Sequence, residues 1–464
     1  MNSATDTICA RATAGGIGAI AVLRVSGPEA LSLVSNCFSK PLTNVDSHTV
    51  HFGLLKAVDG SNIDEVLVTV FHHGKSFTGE ESAEISCHGS PYVQQQILDT
   101  LQSLGCRMAN PGEFTQRAFL NGKLDLSQAE AVADLIAAQS KKAHRIALNQ
   151  LKGNLSSDLK ILREELIAFA SLIELELDFS EEDVEFADRT QLKELVSKVL
   201  VTVKRLSGSF ALGNALKNGV PVAIVGAPNT GKSTLLNQLL GEDRAIVSDE
   251  AGTTRDVIEE TLNIDGILFR LIDTAGIRET TQNIEAMGIE RSQQKIKEAS
   301  IVLCLADATD KNNLSQTQSW SNELTDTYPD KKIILLTNKS DLIQEDLNVG
   351  VVLSAKEGLG IDVLKAEMVK AVLGEMDLEN DTIIANARHH EALIKTAEAL
   401  EKANSGLNDG TTGDFIAMDI RQAMFHLGSI TGDISTDDLL GSIFSKFWIG
   451  KLLLNRSLLV YSNG

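Results

Sequence analysis

The segment GAPNTGKST, from Gly226 to Thr234, has the residue types and spacing of a phosphate cradle, G-x-x-x-x-G-K-[ST]. Glycines let backbone N–H groups turn inward around an anion, and the helix that follows adds its dipole. Within Asn229-Thr230-Gly231-Lys232-Ser233-Thr234, the lysine reaches the β- and γ-phosphates and Ser233 offers a hydroxyl to Mg2+. Further segments follow in the order a guanine-nucleotide site requires. In the loop Ser248-Asp249-Glu250-Ala251-Gly252-Thr253-Thr254, Thr254 can hold Mg2+ and sense the γ-phosphate. Asp273-Thr274-Ala275-Gly276 closes an apolar strand with a carboxylate for the metal shell and a glycine N–H for the γ-phosphate. Asn338-Lys339-Ser340-Asp341 reads the base: an aspartate accepts both N–H groups of guanine's Watson–Crick edge, which adenine lacks, while the Lys339 stem covers the ring. Ser354-Ala355-Lys356 follows another strand and can offer a backbone N–H to the guanine oxygen. The set points to GTP rather than ATP.

Water activation is the irregular part of this pattern. Ras-like sites place a glutamine directly after the DxxG glycine to orient the attacking water, but here Ile277 stands there and cannot hydrogen-bond. Glu279 and Glu285, further along IRETTQNIEAMGIER, are the two candidates, and the residues alone do not choose between them. Asn229 carries a side-chain carbonyl beside the phosphates, where it can help ligate a monovalent cation or simply make a turn.

The elements that must position these groups are legible from texture. Up to about residue 123, short apolar runs such as IGAIAVLRVSG, IDEVLVTVFHHG and SAEISCHGS alternate with glycine and polar turns, which predicts a mixed α+β domain. From Leu124 the stretch LDLSQAEAVADLIAAQSKKAHRIALNQLKG predicts one long helix. A second helix carries Leu155, Leu159, Leu162, Leu166, Phe169 and Ile173 on one stripe, and a third runs from roughly Arg189 to Leu212, with the glycines of GNALKNG marking a boundary. Between Val220 and about Leu373, continuous apolar strands alternate with helical segments, the signature of a parallel sheet covered on both faces. Helix returns beyond Asp381, with Leu393, Ile394, Ala397, Leu400 and Ala403 at helical spacing. The economical architecture is an α/β P-loop domain inserted into a helical-bundle domain, preceded by an α+β domain.

Composition restricts the function classes. The 464 residues carry 42 Lys+Arg against 63 Asp+Glu, a formal charge of −21, and are 43% hydrophobic, ample core for two or three domains. Such an acidic balance repels phosphate backbones, so RNA contact requires a local basic patch or a partner. No apolar run is long enough for a membrane span, and the start MNSATDTICARATAGG lacks a secretory signal, so a cytoplasmic protein without membrane attachment is expected. Cys9, Cys37, Cys87, Cys106 and Cys304 are odd in number and form no C-x-x-C pair, so reduced thiols are expected. His88, His389 and His390 have no nucleophile or metal-ligand partner in sequence and read as structural.

DTICARAT, LRVSG, FTGEESAEISCHGS, NPGEFTQRAFLNGKLDLSQAEAVADLI, the GTPase segments and TGDISTDDLLGSIFSKF together resemble the MnmE (TrmE) family of bacterial and organellar tRNA-modification GTPases over nearly the full length. The resemblance implies a folate-binding and dimerisation domain at 1–123, a helical domain at 124–216 and 377–464, and an inserted G domain at 217–376. It implies K+ between the G domains of a homodimer, where other GTPases receive an arginine finger, with Asn229, Ser248, Glu250 and Thr253 as its matching ligands. The family's water-orienting glutamate falls on Glu285. Folate contacts carried over by motif are Arg24, Glu84, Lys123 and Lys451; Glu84 can accept from the pterin amino group, while Arg24 or Lys123 can face a carboxylate or carbonyl. The implied partner is the flavoprotein MnmG, which holds FAD and supplies much of the tRNA contact. The implied reaction adds an aminomethyl or carboxymethylaminomethyl group to wobble uridine from a tetrahydrofolate-borne one-carbon unit.

Two departures lie near the C-terminus: the family pattern Phe-Cys-x-Gly-Lys is Phe447-Trp448-Ile449-Gly450-Lys451 here, and residues 452–464 extend beyond it. They raise an alternative in which GTP is hydrolysed but modification is lost. A regulatory GTPase switch in ribosome assembly is a third reading, against which stand the folate-type residues and the lack of an appended basic RNA-binding domain.

Overall fold

The computed structural model describes residues 6–178, 189–243, 260–272, 293–344, 347, 349–374, 382–409 and 411–434. They fall into two compact units, one formed within Met1–Ala133 and Thr431–Gly464, the other by Asp134–Ile430.

In the first unit, strands β1 (Ile8–Arg11), β2 (Ile20–Ser26), β3 (Thr49–Lys56), β4 (Asn62–Phe71), β5 (Ser82–His88) and β6 (Arg107–Met108) form one sheet in the order β3-β4-β5-β2-β1-β6. Its pairings are antiparallel except β1 with β6. Alternation decides the faces. Leu23 and Val25 of β2, Val66, Val68 and Val70 of β4 and Ile85 of β5 are buried against helices α1 (Ala30–Cys37) and α2 (Pro91–Ser103). The intervening residues face the other way, so Arg24 of β2 stands directly opposite Glu84 of β5, and Phe52 opposite Leu67. Helix α3 (Glu113–Leu120) follows, with Gly112 in the left-handed region at its start.

The helices that follow α3 correct two expectations. Where one long helix was predicted, there are two, α4 (Leu126–Ala137) and α5 (Lys141–Leu151). Ser140 takes an extended conformation and its side chain caps α5 by accepting from the Ala143 N–H, a local bond that outcompetes helix continuation. Helix α6 (Asn154–Asp178) buries the predicted stripe of Leu155, Leu159, Leu162, Leu166, Phe169 and Ile173. The third stretch divides at Ser209 into α7 (Arg189–Gly208) and α8 (Phe210–Asn218). The Ser209 hydroxyl donates to Leu206 O and accepts from the Ile384 N–H. Gly213, read as a boundary, lies inside α8, where a Cβ would come within 2.2 Å of Ile384 O.

The inserted sheet runs β12-β11-β10-β7-β9-β8, built from β7 (Val220–Val225), β8 (Glu260–Ile264), β9 (Ile267–Leu271), β10 (Ile301–Asp307), β11 (Lys332–Asn338) and β12 (Val351–Val352). It is parallel as expected, apart from β8, which pairs antiparallel with β9 through a tight Asp265-Gly266 turn of positive φ. The Asp-Gly pair between apolar residues is a hairpin signal that the sequence reading passed over. Helices α9 (Lys232–Asp243) and α11 (Ile361–Leu373) cover one face of the sheet, and α10 (Lys311–Thr327) packs on the other. The chain then returns to the bundle as α12 (Ala387–Asp409) and α13 (Gly413–Thr431), whose Leu393, Leu400, Ile420 and Leu427 share a core with α6 and α7. Ile394, placed on that stripe by spacing, is 39% exposed at its edge.

Candidate functional site

Parallel pairing brings the C-terminal ends of β7, β10 and β11 to one edge of the sheet, where α/β sheets bind ligands. Gly226 to Gly231 turn there between β7 and α9. The turn demands its glycines: a Cβ on Gly226, at φ 154°, would lie 2.4 Å from Leu305 O, and one on Gly231, at φ 97°, 2.3 Å from Asn338 Nδ2. Asn229 also takes positive φ, at 61°, and its exposed amide has no hydrogen-bond partner among the described residues. Thr230 is buried and its hydroxyl donates to Ala227 O, while Thr234 is exposed on the first turn of α9.

Lys232 folds back into the cradle, donating to Gly226 O at 2.9 Å and Ala227 O at 2.7 Å. Burial, then the charge of Lys295, hold its ammonium below the ordinary lysine range. A phosphate group would supply the anion this ammonium lacks, so cradle and lysine fit a nucleotide triphosphate with Mg2+.

The segments expected to read the base are tied to the cradle by Asn338. Its side chain is buried, donating to Thr230 O at 2.8 Å and accepting from the Ala355 N–H at 2.9 Å. Lys339 has positive φ, and its ammonium reaches Asp307 Oδ2 at 2.5 Å, which stretches its stem along the edge of the site. Burial alone would raise the Asp307 carboxyl, but hydrogen bonds from Lys339 and Thr309 hold it below the usual carboxylate range. The sequence reading missed Asp307; its signal is an aspartate at the end of the apolar strand IVLCLAD. Asp341 is exposed, with Oδ1 accepting from the Ser354 hydroxyl at 2.5 Å and Oδ2 without a partner among the described residues. In Ser354-Ala355-Lys356 the first N–H goes to Leu359 O and the second to Asn338, leaving that of Lys356 open among the described residues.

In the first unit, Arg24 donates from Nε to Glu84 Oε1 at 2.9 Å, and the ion pair brings Nη2 within 2.8 Å of the same oxygen. Its guanidinium lies 4.9 Å from the ring centre of Phe77 and 5.5 Å from that of Phe114. Lys123 donates to Gly74 O, at the base of the loop that carries Phe77. Beside them is a charge network absent from the sequence reading. Arg117, 3% exposed, bonds Asp6, Glu80 and Glu113, while Arg107 bonds Asp6 and Glu113. Asp6, Glu80, Glu113 and Arg117 lie in DTICARAT, FTGEES and NPGEFTQRAF, segments that carried the family resemblance.

Ser248, Asp249, Glu250, Ala251, Gly252, Thr253, Thr254, Asp273, Thr274, Ala275, Gly276, Glu285 and Lys451 lie outside the described residues, as do Ile277, Glu279 and Trp448. All five cysteines are free and buried. Burial pushes the Cys37 and Cys87 thiols up to about 11 and that of Cys304 up to about 12, leaving them protonated at neutral pH. Among the described residues, no His, Cys, Asp and Glu group is arranged to hold a metal ion, and no helix is long and apolar enough to cross a membrane. His88 bonds Asp64, and His390 stacks on Phe210.

A family model described as the MnmE helical domain matches residues 126–447, and one described as the GTP-binding protein TrmE N-terminus matches residues 7–123. The tRNA modification GTPase MnmE of Christiangramia forsetii is 50% identical over 472 residues, covering 96% of this chain and 99% of its own. The proteins of that name from Flavobacterium johnsoniae and Cytophaga hutchinsonii are each 50% identical, covering 96% of this chain and 99% and 98% of theirs. The chain belongs to the MnmE family. Membership unites the two sets of residues described above, since an MnmE protein carries both the TrmE N-terminal region and a GTPase site on one chain.

Proposed function

We propose that this chain is a K+-activated GTPase that works with the flavoprotein MnmG to modify tRNA wobble uridine at carbon 5, using a tetrahydrofolate-borne one-carbon unit. The observation that carries the reading is the edge of the inserted sheet, where Asn338 ties the phosphate cradle to the base-reading segments. Lys232 turns from Gly226 O and Ala227 O to the β- and γ-phosphates. Asp341 accepts from the guanine N–H groups, and the Lys339 stem, anchored on Asp307, lies over the ring. Ser233 and Thr254 would hold Mg2+, which neutralises phosphate charge when bound, with Asp273 in its shell and Gly276 donating to the γ-phosphate. Asn229, Ser248, Glu250 and Thr253 would hold K+, supplying positive charge where the terminal phosphate leaves; the open Asn229 amide supports this. Glu285 orients the attacking water, a task Ile277 cannot perform. The new P–O bond forms from that water as the bond to the departing diphosphate breaks.

The Arg24–Glu84 pair supports a folate site in the first unit, with Lys123 and Lys451 as its further contacts. Val50, Phe52 and Leu67 are 57%, 55% and 45% exposed on the face of the sheet opposite its helices, which supports homodimerisation there. The charge of −21 supports a division of labour in which MnmG contributes FAD and most of the tRNA contact in the cytoplasm.

The test is steady-state GTP hydrolysis in KCl against NaCl at equal ionic strength. A K+-specific acceleration of at least about tenfold is expected, because a cation replaces the work of an arginine finger. Equal slow rates in both salts would overturn the potassium mechanism.

A further inference from the structure

Residues 135–157 carry four Lys and Arg and no Asp or Glu, in a chain whose net charge is −21. All four cations lie on α5 or directly after it. Lys142, Arg145, Asn149 and Lys152 recur at steps of three, four and three residues, so they share one face as a row. The far face is committed to packing, with Ala143, Ala147 and Gln150 buried. The row is held firmly at its start, because Ser140 caps α5 and the Lys142 N–H donates to Gly266 O at 3.0 Å in the β8–β9 turn.

Lys142, Arg145 and Asn149 line a cleft with Thr382 and with Asn154, the first residue of the 25-residue helix α6. The Lys142 and Lys152 ammonium groups and the Asn149 amide have no partners among the described residues, and neither does the exposed Lys141 beside them. Asp158, the next acid along the chain, is occupied by the Thr382 hydroxyl, which donates to it at 2.7 Å. Lysines, amides and a helix N-terminus are the groups that grip phosphate oxygens. From Lys142 to Lys152 the row is about 15 Å long, more than one phosphate ion fills and suited to successive phosphates of a strand. Because the rest of the chain is acidic and repels such a strand, a local patch of this kind is what contact requires.

We propose that this face of α5, with the start of α6, binds the phosphate backbone of the tRNA. The proposal rests on the tRNA-modification reading above and names the contact that this chain makes itself. Phosphate contacts position the RNA without reading its sequence, so the binding is strongly salt-dependent.

The test is fluorescence anisotropy of a labelled tRNA transcript with a wobble uridine, titrated with the full-length chain at several KCl concentrations. Wild type is compared with Lys141→Ala/Lys142→Ala/Lys152→Ala and with the same three positions changed to Arg. The Ala variant is expected to bind about tenfold or more weakly, with the slope of log affinity against log salt shallower by about two to three. The Arg variant, which keeps the charge, stays within about threefold of wild type. GTP hydrolysis without tRNA stays at the wild-type rate in both variants, which establishes that they fold. Unchanged affinity and slope in the Ala variant would overturn the proposal, as would an Arg variant as weak as the Ala variant, or a wild-type chain that binds no tRNA. Wobble-uridine modification in a strain relying on the wild-type chain is read in parallel. Its absence removes the tRNA reading itself, whereas its presence beside an Ala variant of unchanged affinity removes only the α5 site.

Discussion

Lys232→Ala is expected to lower kcat for GTP hydrolysis about a thousandfold, the scale on which a preorganised charge at a reacting phosphoryl group acts. The ammonium is partly desolvated, and its structural partners are two carbonyl oxygens of its own loop. Burial and Lys295 weaken its hold on its proton, a cost that bound phosphate reverses by placing negative charge against it. The interaction therefore strengthens as charge accumulates on the transferring group, which is the condition for acting on kcat as well as on binding. Lys232→Arg should not rescue, since a planar fork does not fit a cradle closed around a point charge. Steady-state phosphate release checks the expectation, and a loss below tenfold would contradict the assigned role.

Asp341→Asn is expected to reduce kcat/KM for GTP by about a thousandfold or more and to shift preference toward xanthosine triphosphate. A carboxylate accepts from two N–H groups, whereas an amide presents one donor and one acceptor, which suits the second oxygen of xanthine. The Ser354 hydroxyl fixes one carboxylate oxygen at 2.5 Å, so the variant side chain stays in place and the effect is one of chemistry, not of position. Measuring kcat/KM for both nucleotides decides it, and an unchanged ratio would refute base reading by Asp341.

What the sequence disclosed follows from the range of the forces involved. The phosphate cradle was legible because its requirements are local: two glycines at positive φ, a lysine and a following helix lie within nine consecutive residues. The α6 stripe was legible because a helix repeats its buried face every three or four residues. Helix breaks at Ser140 and Ser209 were not, since each serine is decided by where its hydroxyl finds a partner, and for Ser209 that partner is Ile384, far along the chain. The Arg117 network was invisible for the same reason. Glu113 stands one helical turn before Arg117 on α3, but Asp6 and Glu80 share no periodicity with Arg117, and only the fold brings them to it. The ties from the Asn338 amide to Thr230 O and to the Ala355 N–H join segments far apart in the chain, so no local pattern discloses them.

The central claim, that GTP hydrolysis on this chain drives wobble-uridine modification, is tested most directly by complementation. Nucleosides of tRNA are measured by mass spectrometry from a strain lacking its own family member and supplied with this chain or its Lys232→Ala variant. The account predicts that the chain restores the carbon-5 modification and the variant does not. Unmodified wobble uridine in the presence of a chain that hydrolyses GTP normally would contradict it, and would turn attention to Trp448 and residues 452–464.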